Sequence, residues 1–109
     1  MSGIAKTPQP PYYAVIFTSE RKEGDNGYGS MAVRMEELAS RQPGFLGVES
    51  ARDQNGLGIT VSYWESLEAI RNWKDHASHK AAQDKGRTDW YERYGLRVTK
   101  VERDYFFEI

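Results

Sequence analysis

The chain has 109 residues, enough for one domain and too few for two. Its 15 lysines and arginines against 16 aspartates and glutamates leave a formal charge of −1, without the clustered basic excess that a nucleic-acid footprint requires. No cysteine is present, which excludes disulfides and sulfur redox chemistry, and no apolar run is long enough to span a bilayer.

In chain order, residues 1–11 read as a disordered or extended tail. Pro8-Gln9-Pro10-Pro11 favours extended polyproline geometry, and the segment lacks the apolar core of a secretory signal, so a cytoplasmic location is expected. The domain proper is expected over residues 12–109. Tyr12 to Ser19 is apolar on both alternating faces, with Tyr13, Val15 and Phe17 on one and Tyr12, Ala14 and Ile16 on the other. Such a strand is buried on both sides and central in its sheet. Glu23 to Gly27 breaks the chain. Tyr28, Met31, Met35 and Leu38 then recur at helical spacing, predicting a helix over Tyr28 to Arg41 that Pro43-Gly44 stops. Phe45 to Arg52 and Leu57 to Trp64 read as two strands joined by a tight turn around Asn55-Gly56.

Ser66 is a good N-cap for a helix starting at Leu67. A break or kink is expected between Asp75 and Ser78, with the helix resuming to Tyr94 and Gly95 closing it in the left-handed conformation. Leu96 to Phe107 reads as a last, long strand. The order β-α-β-β-α-β predicts an α+β, ferredoxin-like fold: an antiparallel sheet with helices on one face and the first and third strands in the middle. Helices cover one face only, so the two-faced first strand predicts a homodimer through the other sheet face.

Pro43-Gly44-Phe45, Tyr63-Trp64, Ser66-Leu67-Glu68-Ala69-Ile70 with Trp73, His79, Trp90-Tyr91 and Val98 to Tyr105 follow one another in an order and spacing that resemble the antibiotic biosynthesis monooxygenase family. The resemblance runs from Tyr12 to Phe107 and implies a dimeric α+β barrel with a pocket in each protomer between sheet and helices. It also implies oxidation of aromatic or quinol-like substrates by molecular oxygen without metal or flavin. A haem-degrading branch of the same superfamily uses an asparagine in the first strand, a helical tryptophan and a histidine ten residues after it. Trp73 matches, but Gln83 stands ten residues on and the first strand has no asparagine. Glutamine is a poor iron ligand, so haem degradation is disfavoured and no cofactor is expected.

Taken as one continuous helix, His76, His79, Gln83, Arg87, Trp90 and Tyr94 share a face, polar at its start and aromatic at its end. That suits a pocket wall in which His79 or His76 removes a phenolic proton and Arg87 holds the resulting anion. Trp73, Gln83, Trp90, Tyr63 and Phe17 complete the expected lining. The plainer readings stay open: the histidines as exposed helix residues with a local capping role, Trp73, Trp90 and Tyr94 as core packing, and Arg87 paired with Asp84 or Glu92. His76 and His79 have only Asp75 as a third ligand, so no metal is expected. The functional expectation is a cofactor-independent monooxygenase for a small aromatic molecule, with a non-catalytic binding or sensing dimer as the alternative. An RNA-recognition role is disfavoured, because Gly58 to Trp64 lacks the basic and aromatic signature of that fold.

Overall fold

Tyr12–Arg21 (β1) is apolar on both faces because it is an inner strand of a four-stranded antiparallel sheet. The computed structural model describes residues 3–24, 28–83 and 90–109, with 78–83 described by backbone alone. Along the chain β1 is followed by α1 (Tyr28–Ser40), β2 (Phe45–Arg52), β3 (Leu57–Trp64), α2 (Leu67–Gln83) and β4 (Tyr91–Val101). The strands lie in the order β2-β3-β1-β4, so the first and third are central, as the ferredoxin-like reading requires.

Local chemistry sets the joints. α1 ends in tightened turns, Arg41 N–H to Leu38 O and Gln42 N–H to Ala39 O, and the Gln42 side-chain amide returns to Leu38 O. Gly44 follows at φ +86°, where an added Cβ would stand 2.6 Å from the Ala69 Cβ. Only glycine lets β2 start this close beneath α2. The β2–β3 turn is held by Asp53, whose Oδ1 accepts the amides of Asn55 (2.9 Å) and Leu57 (3.0 Å), with Gly56 at φ +97°. Ser66 Oγ accepts the Ala69 amide at 3.0 Å, which is the predicted N-cap, and Glu68 in the first turn suits the positive end of the helix dipole.

Residues opposite one another in antiparallel strands share a face, so the registers sort the sheet into rows. On the helix-bearing face the rows are Trp64–Tyr13–Lys100, Val48–Ser62–Val15–Val98, Ser50–Thr60–Phe17–Leu96 and Arg52–Gly58–Ser19–Tyr94. The core lies at the first of these: Val15, Ala39, Trp64, Ala69 and Ile70 cluster, with Tyr13, Phe45 and Trp73 packed against them. Trp64 is fully buried, and its indole N–H donates to Ser62 Oγ at 2.9 Å. The opposite face carries no helix among the described residues. At one end it is partly covered by residues 3–11 and by Asp104, through Ala5 N–H to Glu49, Thr7 Oγ1 to Tyr12 OH, and Tyr12 OH to Asp104. At the other end Leu57 and Ile59 are exposed.

Three expectations are corrected. α2 runs unbroken through Asp75 to Ser78, so no kink turns the helix there. Tyr91 to Gly95 belongs to β4, not to a helix, and Gly95 pairs with Thr18 in the ladder rather than closing a helix. Pairing to β1, with Tyr91 and Tyr94 seated against Phe17, prevails over the helical spacing of Trp90 and Tyr94. β4 also ends at Val101 rather than Phe107; Tyr105, Phe106, Phe107 and Ile109 lie beyond the ladder and are exposed. Among the described residues no helix is long and apolar enough to cross a membrane.

Candidate functional site

Two aromatic groups rise from the helix-bearing face, separated by an open strip of sheet. The first is a column: Phe45 meets Trp64 edge-on with centroids 5.4 Å apart, Trp64 stacks on Trp73 at 6.2 Å, and Trp73 stacks on His76 at 5.6 Å. The column exists because β3 ends in a tryptophan facing α2, while Trp73 and His76 are three residues apart on that helix. His76, its last member, is exposed. The strip beside it is floored by Val15 and Phe17 of β1, with Val98 and Leu96 of β4 opposite them, and the last two remain 46% and 47% exposed. Among the described residues neither helix covers these β4 side chains, which leaves an open apolar strip, hereafter the cleft.

The second group forms the far end of the cleft. Phe17 packs against Tyr91 (5.6 Å) and Tyr94 (5.2 Å), and Tyr28, at the start of α1, packs against Tyr91 (5.8 Å) and Trp90 (5.9 Å). Two guanidinium groups join it. Arg21 lies over the Tyr28 ring at 3.7 Å, a cation–π contact, and donates to Gly24 O. Arg52 crosses the sheet along its own row. Its neighbour Gly58 has no side chain, so the guanidinium lies over it and reaches Ser19 Oγ at 2.8 Å, Tyr28 OH at 3.3 Å and the Gly56 carbonyl. Ser19, 1% exposed, is thereby satisfied. Burial and the adjacent Tyr28 hydroxyl push the Tyr91 phenol above its ordinary pKa, against the pull of Arg52 and Arg21. On the other side of Arg52 a separate polar cleft of about 580 Å³ is lined by Arg21, Lys22, Glu23, Gly24, Arg52 and the 53–56 turn.

The structure divides the expected lining residues. Trp73 and His76 stand in the column, Phe17 on the cleft floor, and Trp90 is buried against Tyr28. Tyr63 is not with them. It pairs with Ala14 on the opposite face, donates to Glu49 Oε1 at 2.7 Å and packs on Tyr12, so an expected wall that includes both Tyr63 and Trp73 is corrected: the sheet lies between them. The side chains of His79 and Gln83, and Arg87 altogether, lie outside the described residues. Among the described residues no three histidines, aspartates or glutamates gather as a metal site.

Arg52 and Arg21 were not reached by sequence reasoning, and Tyr28 and Tyr91 entered it only as part of a helical stripe and of the family pattern. For Arg52 the hairpin register supplies only Gly58; Ser19 joins it through the pairing of β1 with β3, and the two together leave the arginine a path across the sheet.

The sequence pattern of the family described as antibiotic biosynthesis monooxygenase matches residues 11–85. "Uncharacterized protein YqjZ" of Bacillus subtilis (strain 168) is 57% identical over 108 residues, covering 99% of this chain and 95% of that one. The "Jasmonate monooxygenase ABM" of Pyricularia oryzae is 29% identical over 94 residues, which is 82% of this chain and 43% of the fungal protein. In structure the chain is similar to a single-residue mutant of SnoaB, a cofactor-independent oxygenase from Streptomyces nogalater. The TM-score is 0.72 at 14% identity, over 89% of this chain and 98% of that one, a likeness of fold.

Proposed function

Because the chain belongs to the antibiotic biosynthesis monooxygenase family, we propose that it oxidises a small aromatic, quinol-like substrate with molecular oxygen, without metal or flavin, in the cleft over β1 and β4. The observation that carries this reading is the apolar strip of Phe17, Leu96 and Val98, bordered by the buried Val15 and set between two groups of aromatic rings. A flat ring fits such a slot by stacking and edge contacts.

The chemistry asks little of the protein beyond proton removal and positioning. A phenol is slow to react with oxygen; its phenolate is electron-rich and faster. An imidazole that titrates near neutrality takes the phenolic proton. His76, exposed and stacked on Trp73, is one base for that step, and His79, three residues on in α2, is the other. The substrate supplies all four electrons: one oxygen atom enters the ring as a carbonyl, the phenol becomes its paired carbonyl, and the second oxygen atom leaves as water. The working unit is a homodimer joined through the helix-free face of the sheet.

The test is oxygen uptake by metal-free, flavin-free protein with a panel of phenols and quinols. The expected result is saturable uptake, one oxygen per quinone formed from a phenol, reduced at least about ten-fold in His76→Ala or His79→Ala. No uptake and no binding across the panel would refute the reading. A binding or sensing dimer is the second reading, favoured by the exposure of His76, which leaves that imidazole unshielded from water. Binding without turnover, altered only mildly by either alanine, would select it.

A further inference from the structure

We propose that Arg52 makes the far end of the cleft a carboxylate-binding subsite, so that the substrate is an aromatic acid. This rests on the quinol-oxidising reading above and names the substrate class for that same cleft.

Arg52 is a half-buried cation whose partners among the described residues are all neutral: a serine hydroxyl, a tyrosine hydroxyl and a backbone carbonyl. It meets no carboxylate there, and the nearest turn carboxylate, Asp53, is engaged by the amides of Asn55 and Leu57. A guanidinium has five N–H donors. Three contacts use one Nη1 and both Nη2 hydrogens, leaving the Nε–H and the second Nη1–H without an acceptor among the described residues. Burying a charge without an opposite charge is costly, so the arrangement suits an anion brought by a ligand. The sheet holds the group in place, since Gly58 provides its seat and Ser19 and Tyr28 fix its plane.

The position is right for one end of a ring-bearing acid. The Tyr28 ring lies 5.6 Å from the Arg52 Cζ, Tyr91 packs on Tyr28, and Phe17 packs on Tyr91, so the cation adjoins the aromatic floor without a gap. Arg21, over the same Tyr28 ring, adds a second positive charge beside the subsite. Lys22 also lines the mouth of the adjoining polar cleft; Glu23 and Asp53 there are the countervailing charges.

The experiment compares 2,5-dihydroxyphenylacetate with its methyl ester, which has the same ring and no charge, by titration calorimetry on the full chain at pH 7. The acid is expected to bind at least about ten-fold tighter than the ester, the worth of a charge-assisted pair of hydrogen bonds. In R52Q the preference is expected to fall to within about two-fold. G58A, whose new Cβ displaces the guanidinium while keeping its charge, is expected to reduce the preference as well. Thermal melts establish that both variants are folded, and the wild-type comparison needs no variant. Acid and ester binding alike, or an undiminished preference in folded R52Q, would overturn the subsite and leave the quinol reading standing. Binding of neither compound, with no oxygen uptake across the wider panel, would overturn both.

Discussion

Tyr63 hydrogen-bonds Glu49 Oε1 at 2.7 Å while the Ala5 amide donates to the other oxygen of the same carboxylate at 2.9 Å. This clasp ties the N-terminal segment to the helix-free face, and it explains why a residue that reads as a pocket aromatic serves elsewhere. Burial first, and then the hydrogen bond and charge of Glu49, raise the Tyr63 phenol above its ordinary value of 10. Tyr12 is raised in the same direction by burial and by Asp104. The neutral phenol is the form that the fold favours, so its contribution is whole below about pH 10 and is lost as pH rises past that toward the folded value. Urea unfolding at pH 8 and pH 11 is expected to show a large fall in midpoint for the wild type. Tyr63→Phe is expected to be less stable at pH 8 by about 1.5–3 kcal/mol, yet to lose less between the two pH values. Equal losses in both proteins would dismiss the role given to Glu49. Trp64 is the residue-scale counterpart in the core. Trp64→Ala empties the middle of the Phe45–Trp64–Trp73 column and is expected to cost about 3–5 kcal/mol, read as a loss of cooperative melting at moderate temperature.

At the level of elements, the seam between α2 and the start of β2 turns on Gly44. An alanine there meets two separable penalties: the φ of +86°, worth about 1–2 kcal/mol for a residue with a Cβ, and collision with the Ala69 Cβ, about 1–3 kcal/mol. Pairing Gly44→Ala with Ala69→Gly removes the second penalty and not the first. The double variant is therefore expected to recover part of the stability lost in Gly44→Ala, and urea midpoints for the four proteins of that cycle decide it. Much of this architecture was legible beforehand. β1 carries an apolar run on both faces and α1 a helical period; β1, α1 and β2 are each followed by a Gly, Pro or Asn breaker, and Ser66 ends β3 and announces α2. β4 was misplaced because Trp90 and Tyr94 are four apart, a helical interval that an edge strand with a register shift beside Glu20 and Arg21 also accommodates. The aromatic column was half legible, since Trp73 and His76 sit on one helix, whereas its partner Trp64 comes from another element. Arg52 was illegible because its role depends on which residues lie beside it across two strands, and an arginine before a turn reads by itself as solvated charge.

The whole molecule is a slab 21 Å in its shortest dimension, one sheet with one layer of helices. It exposes 7835 Å², whereas a folded monomer of 12.5 kDa is expected to expose about 6,200 Å². The excess, about 1,600 Å², exceeds the roughly 800 Å² that each partner commits to a stable interface. Part of it lies on the helix-free face, where Leu57 and Ile59 are each 47% exposed, and part in Tyr105, Phe106, Phe107 and Ile109 at the chain end. A second copy laid on that face would cover the other side of β1, whose helix-bearing side floors the cleft, so assembly and site share one strand. Light scattering at micromolar concentration is expected to give twice 12.5 kDa for the wild type. Ile59→Glu points a charge from the exposed end of that face and is expected to give 12.5 kDa with β-sheet circular dichroism retained. Because β1 then loses its outer cover, the variant is also expected to melt lower and to bind a quinol more weakly. A wild type that stays at 12.5 kDa, or an Ile59→Glu variant that stays paired, would separate the cleft from any dimer through this face.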